Sequence, residues 1–108
     1  WAFPSTGVWE ITWSVFAYMN VASTYVGAHI YSSENDFSGN IEAAQGYTNT
    51  VGATNGHVGV FVKYIFDVED VSTHKVRFNV ESQNNTDFKA DSSAGRMMAT
   101  FIRVGDTP

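Results

Sequence analysis

The side chains in this sequence that could do chemistry are three histidines, His29, His57 and His74, and eleven acidic residues, with cysteine absent. Catalysis by a nucleophile with a base, or by two carboxylates across a bond, needs groups that converge. The histidines fall on a strand, at a strand start and in a turn, and none stands beside a serine or carboxylate in a recognised arrangement. No pair of histidines has metal-ligand spacing. Each is therefore read as a surface or hydrogen-bonded residue. Glu10, Glu42 and Glu81 hold the raw material of a glycosidase-like carboxylate pair, which only the fold could bring together. Asp67, Glu69 and Asp70 in one turn, and Asp87 with Asp91 in another, carry oxygen atoms that calcium accepts. Their spacing departs from the helix-loop-helix calcium motif, so solvated turn carboxylates are preferred and no cofactor is expected. Gly52 and Gly56 are followed by no lysine and make no phosphate cradle. In Arg103-Val104-Gly105-Asp106 an inserted valine breaks the integrin-type tripeptide. Asn84-Asn85-Thr86 fits the N-glycosylation pattern, which has meaning only for a secreted eukaryotic protein. The expectation is a binding or structural module, with no catalytic residues, and not an enzyme.

Binding on a β scaffold is usually carried by loops. The candidates are Asn35, Asp36 and Phe37, the polar run from Asn49 to Asn55 with Tyr47 before it, and Asn84, Asn85 and Asp87. Asn, Thr and Gly with an occasional aromatic suit carbohydrate hydrogen bonding, with Phe37 and Tyr47 as stacking platforms. The competing reading of each loop is an ordinary solvated turn.

The elements that must position these loops are strands. Residues 8–19 alternate, with Trp9, Ile11, Trp13, Val15, Ala17 and Met19 on one face and Glu10, Thr12 and Ser14 on the other, which also carries Phe16 and Tyr18. The two tryptophans therefore belong to a core and not to a sugar platform, whereas Trp1, at the chain end, is either exposed or packed on a neighbour. Residues 25–32 form a second strand, with Val26, Ala28 and Ile30 against Tyr25, His29 and Tyr31, and the Ser33–Asp36 cluster ends it. Residues 40–48 have helical propensity without a cap or periodicity, and are read as a short edge strand. From His57 to Asp67 both faces are apolar, with Val58, Val60, Val62, Tyr64 and Phe66 on one and Phe61 and Ile65 on the other, which implies a strand covered on both sides. Lys75 to Glu81 alternates cleanly and is predicted to pair with it as a hairpin. A last strand, 96–104, again has two apolar faces.

No helical stretch survives, so the prediction is all-β: a two-sheet antiparallel sandwich or jelly roll forming one domain over residues 1–108. A net charge of −5, with six basic residues scattered singly, supplies nothing to track a phosphate backbone, which excludes nucleic acid. No apolar run approaches the ~20 residues of a membrane-spanning helix, so no membrane insertion is expected. Beginning at Trp1 without a leader, the chain reads as a piece of a longer protein.

Three segments together carry a resemblance. Phe3-Pro4-Ser5-Thr6-Gly7-Val8-Trp9-Glu10-Ile11, then Tyr64-Ile65-Phe66-Asp67-Val68 with Lys75-Val76-Arg77-Phe78, and finally Met98-Ala99-Thr100-Phe101-Ile102-Arg103-Val104-Gly105-Asp106-Thr107 are similar to the globular heads of complement-type collagen-tailed proteins and tumour-necrosis-factor-like ligands. Within that superfamily, the last segment and Ile65-Phe66-Asp67-Val68-Glu69-Asp70-Val71 most resemble the C-terminal heads of tailed-phage fibre and virion structural proteins. The resemblance implies a tumour-necrosis-factor-like jelly roll that trimerises on a fibrous stalk, sits on a virion or otherwise outside the cell, and binds a host-surface glycan or protein. It also implies an additional N-terminal strand, of which only Trp1 to Phe3 could supply a part.

The residues support self-association independently. A two-sheet sandwich hides one face of each strand, and the two strands with two apolar faces need a partner for the second. A closed three-fold contact covers it without open-ended growth. Tyr18, Tyr64, Phe66, Phe101 and Ile102 are the contact candidates, against the alternative that long loops cover those faces within the monomer. Two roles compete with receptor binding: structural decoration of a particle, and a secreted complement-like binding head.

Overall fold

A computed structural model describes residues 1–18, 25–49, 56–83, 87–88 (backbone only) and 97–108. The strands are β1 (Gly7–Tyr18), β2 (Tyr25–Ser33), β3 (Ile41–Asn49), β4 (His57–Val68), β5 (Lys75–Ser82), β6 (Asp87–Phe88) and β7 (Met98–Gly105). They form an all-β, two-sheet antiparallel sandwich of jelly-roll type, with no helix among the described residues. In one sheet β1 is central, flanked along its whole length by β4 and on its other side by β7 and, at its far end, by β6. In the other sheet β2 is central, between β3 and β5.

The period-two pattern explains which face of each strand is inside. Trp9, Ile11, Val15 and Ala17 of β1 meet Val60, Val62 and Phe66 of β4 and, from the opposite sheet, Val26, Ala28, Ile30 and Val76. Ile11, Ile30, Val26, Val68 and Val76 are fully buried, and each such side chain contributes about 1.5–3 kcal/mol relative to leaving it in water. The sheets close on one side, where Thr48 Oγ1 of β3 donates to the Gly59 carbonyl of β4 at 3.0 Å. On the opposite side, between β5 and β7, aromatic rings fill the seam. Trp13 packs on Phe78 at 5.1 Å, Phe78 on Phe101 at 5.8 Å, and Trp1 stacks on Phe101 at 4.8 Å.

The predicted hairpin between 57–67 and 75–81 is not formed. β4 pairs with β1 and β5 with β2, so the connection between them crosses from one sheet to the other. Asp70 shapes that crossing: its Oδ1 accepts from Ser72 N at 2.8 Å and its carbonyl accepts from His74 N at 2.8 Å. β4 is also an edge strand of its sheet, and within the single chain its outer-face residues Phe61 and Ile65 are exposed. The edge strand expected at 40–48 is present as β3, shifted by one residue and spanning nine.

Two local features follow from sequence. Gly7 has φ +137°, and a Cβ there would lie 2.7 Å from the Gly105 carbonyl oxygen, so the Pro-Ser-Thr-Gly-Val segment requires glycine where β1 starts beside β7. Trp1 to Phe3 runs beside the start of β5, where Val76 N donates to the Trp1 carbonyl at 3.2 Å, Trp1 N donates to the Val76 carbonyl at 2.7 Å, and Ala2 bridges to Lys75.

Candidate functional site

Three surfaces combine unusual chemistry with definite geometry. The first is the outer face of the β4-β1-β7 sheet. Register places Ile65, Glu10 and Ile102 in one cross-strand row, Lys63, Thr12 and Thr100 in the next, and Phe61, Ser14 and Met98 in a third. Phe61 is 61% exposed, and Ile65, Met98, Ile102 and Val104 are each about half exposed. A polar column on β1 is thus flanked on both sides by large apolar side chains that the single chain leaves in water. Glu10 pairs with Lys63 across the column at 3.4 Å. At the far end His57 packs against Phe16 and Tyr18.

The second is the turn joining β2 to β3. Asp36 and Phe37 have φ of 55° and 60°, and Ser38 N donates to the Asn35 carbonyl at 3.1 Å, the pattern of a type I′ turn. Aspartate tolerates this region, but phenylalanine there costs on the order of 1–3 kcal/mol. The buried Ser33 offsets that cost: its hydroxyl accepts from Asn35 N and Phe37 N and donates within the turn to Asn35 Oδ1 or the Gly39 carbonyl. From β5, Lys75 pairs with the Asp36 carboxylate and the Arg77 guanidinium lies 4.2 Å from the Phe37 ring centroid. Beside this turn lies an open cleft of about 310 Å³, lined by residues of the turn and by Tyr64 of β4.

The third is on the outer face of the β3-β2-β5 sheet. The His29 ring is buried between two carboxylates, with Nδ1 2.5 Å from Glu42 Oε1 and Nε2 2.8 Å from Glu81 Oε2. Both ring nitrogens are thus engaged by side-chain oxygens from strands on either side of β2. Tyr47 donates to Glu81 Oε2 at 3.0 Å and Tyr25 to Glu81 Oε1 at 3.3 Å, while the Tyr31 and Tyr47 rings pack on the imidazole. The His29 bond, then that from Tyr47, holds the Glu81 carboxyl below the usual glutamate range; partial desolvation and then Glu81 push the Tyr47 phenol up. Because the two nitrogens aim in opposite directions, no single metal position sees all three residues, and no metal-holding cluster occurs among the described residues.

Of the residues singled out from sequence, Glu42 and Glu81 are brought to the same site, while Glu10 lies on the other sheet. The imidazole fills the gap between Glu42 and Glu81 that a scissile bond and its water need in a carboxylate pair. Asn35, Asp36 and Phe37 sit in the strained turn, and Tyr47 packs over Gly27, where a Cβ would lie 2.6 Å from its ring. Asn49 ends β3. Asn55, Asn84 and Asn85 lie outside the described residues, and Asp87 is placed by its backbone alone, opposite Tyr18. Asp67 accepts from Thr107 Oγ1 at 2.9 Å, and the bonds from Ser72 hold the Asp70 carboxyl below the usual aspartate range.

Among the contact candidates, Ile102 and Tyr18 project from the outer face. Phe66 is a correction: at 4% exposed, it packs on Phe3 and His74 inside the subunit, because it shares the inward parity of Val60 and Val62. Tyr64 and Phe101 share inward parity too and are half-buried. Met98, missed from sequence as a contact, shares the outward parity of Ile102 and was legible from it, whereas Val104 falls where the register of β7 on β1 slips and parity does not place it. His29 was missed because its acids lie 13 and 52 residues away. No protein-family model matches the chain, and no curated protein matches it.

Proposed function

We propose that the chain is a self-associating, non-enzymatic binding head, assembling as a homotrimer at the end of a tailed-phage fibre or virion structural protein and attaching to a host-surface glycan or protein. The observation that carries the reading is the outer face of the β4-β1-β7 sheet, where Phe61, Ile65, Met98, Ile102 and Val104 stand exposed on both flanks of β1. Large apolar side chains left in water on both flanks of one strand mark an interaction site. A second copy of the same chain supplies a matching surface, and a three-fold arrangement closes without leaving a free end. The three segments similar to phage fibre heads point the same way, and the bridge from Ala2 to Lys75 fits a chain that enters along the edge of β5.

Adhesion and mere decoration predict different results. A labelled chain retained by host cells or by members of a glycan panel supports the binding reading, and retention by neither would reduce the proposal to a structural module. Release of oligosaccharide from a polysaccharide would instead revive an enzyme. Ile102→Lys places an ammonium beside Glu10 on the outer face, so it should lower the solution mass without unfolding the chain; an unchanged mass would remove this face from the assembly.

A further inference from the structure

We propose that the cleft beside the strained turn is a subsite for one neutral pyranose ring. This deepens the receptor-binding reading, since it commits that reading to a ligand class and a place. Glu34, Asn40 and Tyr64 are among the residues that line the cleft, and they bring a carboxylate, an amide and a phenol hydroxyl to it. Ile41 and the Tyr64 ring supply apolar surface beside them. A pyranose presents the complementary pattern, with hydroxyls that pair with carboxylate and amide groups and a C–H face that lies on an aromatic or aliphatic side chain. A volume of about 310 Å³ sits at the low end of the ~300–1,000 Å³ typical of ligand sites, which fits a single ring and not a longer chain.

The turn is built to hold this shape. Ser33 fixes Asn35, Phe37 and Gly39 from within, and Lys75 and Arg77 hold Asp36 and Phe37 from β5, so a ligand meets a wall whose ordering has already been accomplished on folding. The left-handed Asp36 and Phe37 stand next to the cleft without lining it, between the lining residues Asn35 and Gly39. Charge narrows the ligand class. The Glu34 carboxylate and a net charge of −5 oppose acidic sugars, and neutral rings remain.

The test is an NMR titration of the isotope-labelled chain with methyl α-D-mannopyranoside, methyl β-D-galactopyranoside, N-acetylglucosamine and N-acetylneuraminic acid. At least one neutral sugar should give saturable shifts at Glu34, Asn40, Ile41 and Tyr64, with Kd on the order of 1–10 mM for so small a ligand. The acidic sugar should leave these residues unmoved. Asn40→Ala should weaken binding roughly tenfold, and Tyr64→Phe, which keeps the ring and loses only the hydroxyl, by a smaller factor. The proposal is overturned if every neutral sugar fails to shift the cleft, if the shifts lie elsewhere, if the acidic sugar binds there equally, or if Asn40→Ala leaves Kd unchanged. Solution mass recorded on the same samples keeps the two readings apart. A monomer that binds sugar at the cleft would sink the assembly and leave the subsite standing, and a trimer with a silent cleft would do the reverse.

Discussion

Replacing His29 with leucine removes both bonds that tie β3 to β5 across β2 while keeping a side chain of similar bulk under Tyr31 and Tyr47. Hydrogen bonds to charged groups contribute about 1.5–3 kcal/mol each when shielded, and exposed ion pairs about 0.2–1 kcal/mol. The imidazole is buried, but the side chains of Glu42 and Glu81 are 37% and 41% exposed, so each bond is discounted toward the lower range. The loss at neutral pH should therefore total about 1–2 kcal/mol, which shifts a urea midpoint by roughly 0.5–1 M for a domain of this size. The effect should depend on pH with a definite sign. Because the folded state depresses the Glu81 carboxyl, that group contributes stability above its unfolded value and loses it as pH falls through its folded value. The gap between wild type and His29→Leu should narrow in acid, below the ordinary glutamate range. Urea titrations of both proteins at pH 7 and pH 3 test this. A midpoint shift under ~0.2 M at pH 7, or a gap that widens in acid, would refute the reasoning.

Gly7→Ala should cost about 2–4 kcal/mol, since φ of +137° strains any side chain and the Gly105 carbonyl cannot move away as Arg103 can; a midpoint within ~0.3 M of wild type would contradict it. Phe101→Asp should unfold the subunit, because the ring is packed by Trp1, Phe3 and Phe78, whereas Ile102→Lys one residue on should keep the wild-type circular dichroism spectrum. Equal loss of structure in both would mean that the two faces of β7 are misassigned. Phe66→Ala should cost about 3–5 kcal/mol as a core truncation, measured by thermal melting, and a variant that melts with wild type would place Phe66 outside the core.

Strand positions were legible because alternation is a local property: Val76, Phe78 and Val80 face inward and Arg77, Asn79 and Glu81 outward in both readings. Strand pairing was not. The runs at 57–67 and 75–81 fit a hairpin as well as they fit a crossing between sheets, and nothing within either run distinguishes Val76 packing beside β4 from Val76 packing beneath it. The stretch from Ile41 to Gln45 looked neither helical nor alternating for a physical reason. A bulge lets Ile30 face Ala44 while Tyr31 faces Glu42, skipping Ala43, and this slip puts Glu42 on the same outer face as Gln45 and Tyr47. Without it the carboxylate would point away from His29. The histidine site was therefore beyond reach of spacing arguments, as it depends on a one-residue irregularity and on two strands meeting β2 from opposite sides. The turn residues Asn35, Asp36 and Phe37 were located by composition, yet the left-handed backbone at Phe37 runs against its propensity and is enforced by Ser33, Lys75 and Arg77.

The proposed assembly requires that the exposed side chains of β4 and β7 be covered by other copies of the chain. Sedimentation velocity at micromolar concentration measures this directly. The predicted result is one species near three times the 11.9 kDa chain, about 36 kDa, and a single boundary at the mass of one chain would contradict it.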